Sequence, residues 1–203
     1  MIISTKIGQT SFVNENGTRV SATVLDYNSC SVVGNRTIDR DGYLANIIGF
    51  LKPKKLNKPQ LKEFNKLNLE PKKIIKEQRI TTDEDLLEIG SLIDPKFKVG
   101  DKVSVQSKST GKGFAGAIKK YGFKRGLMTH GSKSHREHGT TGPGSTPGRV
   151  FPGTKHPGQM GDKRVKVKKL EVIQVEKDLI VVKGAIPGKP GNLMTVTKAK
   201  GKV

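Results

Sequence analysis

Bulky apolar side chains are scarce in this 203-residue chain. It contains no Trp, aromatic residues make up 5% of it, and only 33% of its residues are hydrophobic. Because a chain of this length can bury a sizeable core, its apolar residues must be concentrated in one part of the sequence. The length suits one domain with an appendage, or two small domains.

Cysteine is nearly absent as well. Cys30 is the only one, so no disulfide can form within the chain, which is typical of a reducing compartment. The surrounding sequence, "DYNSCSVVG", predicts that Cys30 lies near a strand end as a small apolar filler.

Long apolar runs and acidic residues are also in short supply. No run approaches the ~20 apolar residues that span a bilayer. The N-terminus lacks the features of a signal or transit peptide, so we expect a protein that works where it is made or has lost a leader.

The chain has 38 Lys and Arg against 18 Asp and Glu, which gives a net charge of +20 and an isoelectric point near 10.1. This excess favours a polyanionic partner, with nucleic acid ahead of an anionic membrane or an acidic protein.

Alternating polar and apolar residues characterise both ends of the chain. The pattern predicts strands within residues 1–50, including a hairpin whose turn is the Asn-Gly pair at 16–17. Residues 43–50 ("YLANIIGF") have the apolar character of a buried strand. Residues 165–183 form a further β-rich block in which 176–178 read as a hairpin loop. The sequence therefore predicts a mainly β (α+β) fold.

Two short helices are expected between these blocks. Pro59 suits the first turn of one of them, in which Leu61, Phe64 and Leu67 would line one face. The lysines around this helix would contact phosphate or form a solvated surface. Thr82 would cap the second helix, because an acid follows three residues later.

Residues 107–164 interrupt the β pattern. Within 111–164 lie 13 of the 24 glycines and 4 of the 10 prolines, with 11 Lys and Arg against 2 acids. Such a stretch inside a compact domain is either a disordered linker or a segment ordered by a partner. Flexible linkers are monotonous, whereas Phe114, Tyr121 and Phe151 are spaced among the cations here. Cations can neutralise phosphates, aromatic rings can stack on bases, and glycines let the backbone approach closely. Together these residues favour contact with RNA.

Enzyme-like patterns in this stretch are weaker. "GKGFAG" (111–116) matches the G-x-G-x-x-G of dinucleotide-binding proteins, but glycines break any following helix within two turns and the first downstream acid is Glu137. There is no GxxxxGK[ST] phosphate loop. Ser132 and Ser134 beside His135 do not resemble a nucleophile elbow. We therefore expect no enzyme activity and no cofactor.

Three histidines, His130, His135 and His138, invite a zinc-site interpretation. No cysteine is near them, Glu137 is the only close carboxylate, and the segment offers no scaffold to fix ligand geometry. We favour neutral histidines that stack on RNA or hydrogen-bond to it, and expect no metal.

Residues 163–169 ("KRVKVKK") alternate cations with valines. On a strand, Lys163, Val165, Val167 and Lys169 would share one face and the remaining cations the other. The result is a basic stripe that either contacts phosphate or is simply solvated.

The motifs of the second half resemble those of a known family. "STGKGFAGAIKKYGFKRGLMTHGSKSHR", "GSTPGRVFPG", "HPGQMG" and "LIVVKGAIPGKPGNL" are similar to the bacterial-type large-subunit ribosomal protein three family. The similarity runs from "KIGQT" to "PGNL" and is densest from 109 to 191.

The resemblance implies a translation-protein-type β-barrel domain, which we place at residues 1–106 with 165–203. It also implies a long irregular Gly/Lys/Arg-rich extension, residues 107–164, that threads into ribosomal RNA toward the peptidyl transferase centre. The tip of this extension would be about Gly142–Arg149. The family is linked to early subunit assembly and has no catalytic residues of its own.

Some features depart from the family pattern. Certain bacterial members carry a Gln, methylated in some, just before the Thr-Pro-Gly of the tip; Ser145 stands there instead, which excludes that modification. Tyr121 and Phe123 stand where some members have an aromatic pair with Trp. "GRVFPG" and "PGKPGNL" are closer to cyanobacterial and plastid members, and the Lys/Asn/Ile-rich usage suits an AT-rich plastid genome.

We therefore predict a structural protein of the large ribosomal subunit that binds 23S-type rRNA and contacts neighbouring ribosomal proteins, in a bacterial cytoplasm or, by preference, a plastid stroma. No membrane or small-molecule substrate is expected. Alternatives are a non-ribosomal RNA chaperone and an enzyme that holds a nucleotide in its Gly-rich loop. The predicted phosphate contacts are Lys108, Lys112, Lys119, Lys120, Lys124, Arg125, Lys133, Arg136, Arg149, Lys155, Lys163 and Arg164. The predicted stacking or base contacts are Phe114, Tyr121, His130, His135, Phe151 and His156, with Ser145 at the tip.

Overall fold

The computed structural model describes residues 1–13, 16–28, 30–93 and 97–199. The chain divides into two compact units: unit 1 is Met1–Lys108 with Arg164–Val203, and unit 2 is Ser109–Lys163. The strands are β1 (Ile2–Val13), β2 (Arg19–Asp26), β3 (Ser31–Arg36), β4 (Ala45–Phe50), β5 (Ile74–Arg79), β6 (Lys102–Lys108), β7 (Phe114–Ala115), β8 (Gly158–Gln159), β9 (Arg164–Val175), β10 (Leu179–Lys183) and β11 (Leu193–Lys198). The helices are α1 (Ile38–Asp41), α2 (Lys58–Lys66) and α3 (Ala117–Tyr121), with a 3₁₀ turn at Asp83–Asp85. The prediction of a mainly β fold is confirmed.

Six strands of unit 1 form an antiparallel barrel in the order β1-β11-β6-β9-β10-β2. Alternation along each strand gives it one apolar face, and β-branched side chains pack well on such pleated surfaces. The largest shielded side chains of these strands are Ile3, Leu25, Val103, Val105, Val172, Ile180, Val182, Met194 and Val196. They form the hydrophobic core in which the few apolar residues of the chain were expected to be concentrated.

A second antiparallel sheet has the order β3-β4-β5. Its central strand, β4, is the buried strand expected at 43–50, and Phe50 on it is fully shielded. Gly49 permits a close approach here, because a Cβ at this position would lie 2.5 Å from Val33 Cγ2 and 2.6 Å from Lys72 Cγ. None of the helices in the described ranges combines the length and hydropathy of a bilayer-spanning segment.

Both expected hairpins are confirmed. β1 pairs with β2, and Gly17 in the turn between them has a φ of +72°, a backbone conformation that glycine adopts readily. β9 pairs with β10 around residues 176–178, with Ile180 opposite Val175.

The expected alternation in "KRVKVKK" is confirmed only as far as Val167. β9 begins at Arg164, so Lys163 lies outside the strand. The placement of Lys169 on the valine face is wrong, because a β-bulge shifts the pairing with β6 at this point and gives Lys169 a φ of +58°. The extra residue returns Leu170, half-buried, to the inner face.

The first expected helix is present as α2, and the second is only a 3₁₀ turn. α2 has its proline in the first turn but ends at Lys66, and of its apolar face only Phe64 is buried, whereas Leu61 and Leu67 are exposed. Thr82 precedes a single 3₁₀ turn, and its hydroxyl donates to Asp85 Oδ2 at 2.9 Å.

Lys6 is a buried cation in β1. Its Nζ donates to the carbonyls of Ile186 and Gly188, at 2.6 and 3.0 Å, and so holds the turn before β11. Burial lowers the pKa of Lys6, because the charged form loses water. The two carbonyls replace part of that lost hydration.

Replacing Lys6 by Met keeps most of the stem volume and removes both donated bonds. We expect the free energy of unfolding to fall by about 1–3 kcal/mol, because the carbonyls of Ile186 and Gly188 lose their partner. Denaturant titration monitored by circular dichroism measures the change. Lys102→Met on an exposed β6 position is the matched control, and equal stability of the two variants would contradict the role of Lys6.

Cys30 is shielded from solvent, and its Sγ donates to the Ile3 carbonyl at 3.0 Å, as expected for an apolar filler. Burial raises the pKa of this thiol from 9.0 to about 11. We expect a disulfide reagent to modify the native protein slowly at neutral pH and the unfolded protein rapidly. Rapid modification of the native chain would disprove this burial.

The raised pKa of Cys30 also predicts a pH effect. The unfolded thiol ionises before the folded one, so its contribution to stability is complete below pH 9.0 and disappears as pH rises toward about 11. Cys30→Ala should remove this part of the alkaline destabilisation, measured as the free energy of unfolding against pH. An unchanged alkaline profile would show that other groups cause it.

Candidate nucleic-acid interface

Two antiparallel legs form the base of unit 2. The Ser109 amide donates to the Lys163 carbonyl at 2.9 Å. Further along, the Lys112 amide donates to Met160 O and the Met160 amide to Gly113 O, both at 2.9 Å. β7 and β8 continue this ladder. The base of the unit is therefore held mainly by backbone hydrogen bonds.

Glycines are required where the two sides of unit 2 approach most closely. A Cβ on Gly161, whose φ is +72°, would collide with the Thr110 carbonyl. A Cβ on Gly126 would collide with the carbonyl of Ser134, next to the bond by which the Gly126 amide donates to His135 O at 3.0 Å. These contacts explain two of the glycines that made the segment look irregular.

The short helix α3 carries an internal brace. Gly122, with a φ of +74°, ends the helix, and its amide donates to Ile118 O. Lys120 Nζ reaches the carbonyl of His156 at 3.3 Å and lies 5.0 Å from the centre of the Tyr121 ring. Lys120 therefore ties the helix to the returning leg of the unit.

Histidines shape the middle of unit 2. His135 Nδ1 lies 2.9 Å from Leu127 O, so this nitrogen carries the proton. The His138 and His156 rings meet edge to face with centroids 5.1 Å apart, and His138 Nε2 is shielded with no hydrogen-bond partner among the described residues. Within those residues, no three His, Cys, Asp or Glu side chains are grouped to hold a metal ion.

The far end of unit 2 is open to solvent. Every residue from 139 to 155 is exposed, including the expected tip at Gly142–Arg149. The Gly148 amide donates to Gly144 O at 2.9 Å, and the Arg149 guanidinium lies 5.5 Å from the centre of the Phe151 ring. The cation and ring are thus presented side by side, an arrangement suited to a phosphate and its base.

Unit 2 has almost no core and a large uncompensated charge. All of its residues are described, and only Ala115 and Ala117 are buried. It holds ten Lys and Arg residues against two acids, Glu137 and Asp162. None of the ten forms an ion pair with a carboxylate of the described residues. Such a surface attracts a polyanion.

Of the 19 residues predicted to contact RNA, 16 are exposed and 3 are half-buried. The half-buried ones are Lys120, His135 and His156, whose polar groups make the internal contacts described above. Seventeen of the 19 lie in unit 2. The other two, Lys108 and Arg164, belong to unit 1 and face each other across β6 and β9.

Sequence reasoning overlooked two exposed apolar residues of unit 2 and one half-buried lysine of unit 1. Leu127 and Met128 are 68% and 51% exposed in the middle of unit 2, and the signal for them was two adjacent apolar residues in a polar, Gly-rich stretch. In unit 1, Lys76 Nζ donates to Thr195 Oγ1 at 2.7 Å, and burial together with the charge of Arg164 lowers the pKa of Lys76. The alternation of β5, with Lys76 on its half-buried face, was the available signal.

Comparison with known proteins identifies the family. The model of the family described as ribosomal protein L3 matches residues 56–177. The chain is 44% identical to the large ribosomal subunit protein uL3c of Arabidopsis thaliana, over 98% of this chain and 76% of that one. It is 45% identical to uL3 of a Picosynechococcus strain, over 96% of this chain and 94% of the relative, and 42% identical to uL3c of Porphyra purpurea, over 97% and 98%. The resemblance seen in the motifs is thereby confirmed, and the chain belongs to the ribosomal protein L3 family.

Proposed function

We propose that this protein is a structural constituent of the large ribosomal subunit and that unit 2 binds 23S-type rRNA. The observation that carries the proposal is the ten Lys and Arg of unit 2, which lack carboxylate partners among the described residues, on a unit that buries only two alanines. The names of its relatives, large ribosomal subunit proteins uL3 and uL3c, agree with it. We assign the chain no catalytic role.

In this proposal the chain works as two parts with different sources of stability. Residues 1–106 with 165–203 form a translation-protein-type barrel domain that is stabilised by its own core. Residues 107–164 form a Gly/Lys/Arg-rich extension whose shape is completed by rRNA, with Gly142–Arg149 reaching toward the peptidyl transferase centre. Phosphates of the rRNA would neutralise the cations of the extension and so remove the repulsion among them. The extension and the RNA around it would then stabilise each other, which supports a role in assembly.

The predicted contact residues divide into two roles in this proposal. The exposed cations neutralise phosphates, and the exposed rings of Phe114, Tyr121 and Phe151 stack on bases. Lys120, His135 and His156 are positioning residues, because their polar atoms already hold the backbone of unit 2. Loss of a positioning residue would alter the shape presented to RNA more than the number of phosphates contacted.

We propose a ribosome of a plastid or of a bacterium as the location, since the relatives include plant, algal and cyanobacterial proteins. Sedimentation of particles in a sucrose gradient at high salt tests the proposal. A structural constituent remains with the large subunit, whereas an RNA chaperone that binds ribosomes transiently is released. Release of this chain at high salt would overturn the proposed function.

Exposed cations of unit 2 should govern the salt dependence of RNA binding. Replacing Lys124 and Arg125 by Gln removes two exposed charges without touching an internal contact. The slope of log affinity against log salt for transcribed 23S rRNA should become shallower by about 1.5, because each neutralised phosphate contributes roughly 0.7–0.9. Filter binding at several salt concentrations measures the slope.

Lys177→Gln, an exposed cation in the turn between β9 and β10, is the control for a simple change in net charge. Its slope should remain that of the parent protein. If this variant flattens the slope as much per charge as the unit 2 variant does, binding is a property of total charge and unit 2 has no special role.

Unit 2 should also show low protection from hydrogen exchange in the absence of RNA, because it lacks a core. We expect amides between 124 and 155 to exchange much faster than those of β1 and β6, and to become protected in the large subunit. Mass spectrometry after timed exchange compares the two states. Protection of 124–155 equal to that of the barrel in the free protein would refute ordering by RNA.

A further inference from the structure

Residues 80–93 ("ITTDEDLLEIGSLI") are acidic, whereas the chain as a whole is basic. They contain no Lys or Arg, although the chain has 38, and they hold four of its 18 acids. These acids, Asp83, Glu84, Asp85 and Glu88, are exposed and form no ion pair with the described cations. A patch of negative potential therefore lies on a strongly basic protein.

An apolar groove of about 540 Å³ adjoins this patch in unit 1. Its apolar lining includes Leu87, Leu92, Ile93 and Phe97, and Glu84 is also part of its wall. The Leu92 side chain is 73% exposed, the highest exposure among the large aliphatic residues of the described chain. Leu87, which also lines the groove, and Ile89 of the same segment are 37% and 50% exposed, and several exposed apolar residues in one place mark an interaction surface.

The groove is preformed. Asn46 Nδ2 donates to Asp85 O at 2.9 Å, and Asn46 Oδ1 accepts from the Leu87 amide at 3.2 Å. The far end of the loop is tied to β3, since the Gly90 amide donates to Val32 O at 2.8 Å. A partner would therefore bind without ordering this loop, which reduces the entropic cost of association.

The chemistry of the groove excludes RNA as its occupant. Unpaired carboxylates repel phosphates. The one ring of the lining, Phe97, is half-buried against the hydrophobic core, and the one lysine, Lys198, is paired with Asp101, so neither is free for a base or a phosphate. A polypeptide with cations and aliphatic side chains complements both features. Lys and Arg would face Glu84 and its neighbouring acids, and an aliphatic side chain would cover Leu92.

We propose that this groove docks a Lys/Arg-rich segment of another protein of the large subunit, with an aliphatic anchor against Leu87 and Leu92. The inference rests on the proposed place of the chain in the subunit and adds a protein-binding surface on unit 1. The acids give the contact its charge complementarity, and the apolar wall supplies the buried area.

Photocrosslinking in intact particles tests the docking. The full chain carries p-benzoylphenylalanine in place of Leu92, and salt-washed large subunits containing it are irradiated, digested with nuclease and protease, and sequenced by mass spectrometry. We expect a crosslink to a Lys/Arg-rich peptide of one other ribosomal protein. A crosslink to rRNA, to a second copy of this chain, or to residues 200–203 of the same chain would overturn the inference, as would the absence of any crosslink.

Two controls sharpen this test. The same photoreactive residue at Leu61 on α2, which is 43% exposed and lies outside the groove, should not reach that peptide. The photoreactive residue at Ile89, which is 50% exposed in the acidic segment, provides a second attachment point and should crosslink to the same peptide. If the unmodified chain does not sediment with the subunit, the proposed function fails; if it does and the crosslink lies elsewhere, only this inference fails.

A charge reversal separates the acidic patch from the apolar wall. Glu84→Lys in the Leu92 photoreactive chain should lower the crosslink yield about fivefold, the scale of one exposed ion pair. Glu70→Lys reverses an exposed charge outside the groove and should leave the yield unchanged. Equal yields from both variants would rule out electrostatic recognition by the acids.

Discussion

The cations of unit 2, which form no ion pair with a carboxylate of the described residues, are the constraint that the architecture of this protein depends on. In unit 2 the Lys and Arg residues outnumber the acids five to one, and only two alanines are buried. Neither burial of apolar area nor ion pairing can offset the entropy of fixing such a chain. In the proposed function, rRNA would supply what is missing, because it would neutralise the cations and pack against the backbone. Unit 1 is the opposite case, because its barrel core is complete without a partner.

The internal order of unit 2 relies on backbone groups. Carbonyl oxygens are the acceptors for Lys120 and the partner of the His135 ring, and the legs at the base pair through amides. Glycine at 126 and 161 lets the two sides approach without a clashing Cβ. Such contacts define a path for the chain while most side chains stay free to face a ligand. The exposed Lys and Arg side chains are therefore displayed by a shape that they do not themselves create.

Sequence patterns predicted the parts of the fold that depend on local chemistry. The strand β4 and the hairpin between β9 and β10 followed from apolar runs and turn residues. The bulge at Lys169 could not be predicted, because it depends on how β9 pairs with β6 and leaves no mark in the alternation. The brace from Lys120 to His156 joins residues 36 apart in a Gly-rich segment, so spacing gave no signal for it. Composition singled out the basic segment proposed to bind RNA but could not separate its exposed cations from the bracing Lys120.

The facing positions of Lys108 and Arg164 on β6 and β9 have an evolutionary consequence. A loop that connects two neighbouring strands can gain or lose residues while the strands keep their pairing register. The reason is that the entropic cost of closing a loop grows only slowly with its length. The length of unit 2 can thus vary between lineages independently of the barrel. Substitutions in β6 and β9 are less free, since these paired strands flank both ends of unit 2 in the sequence.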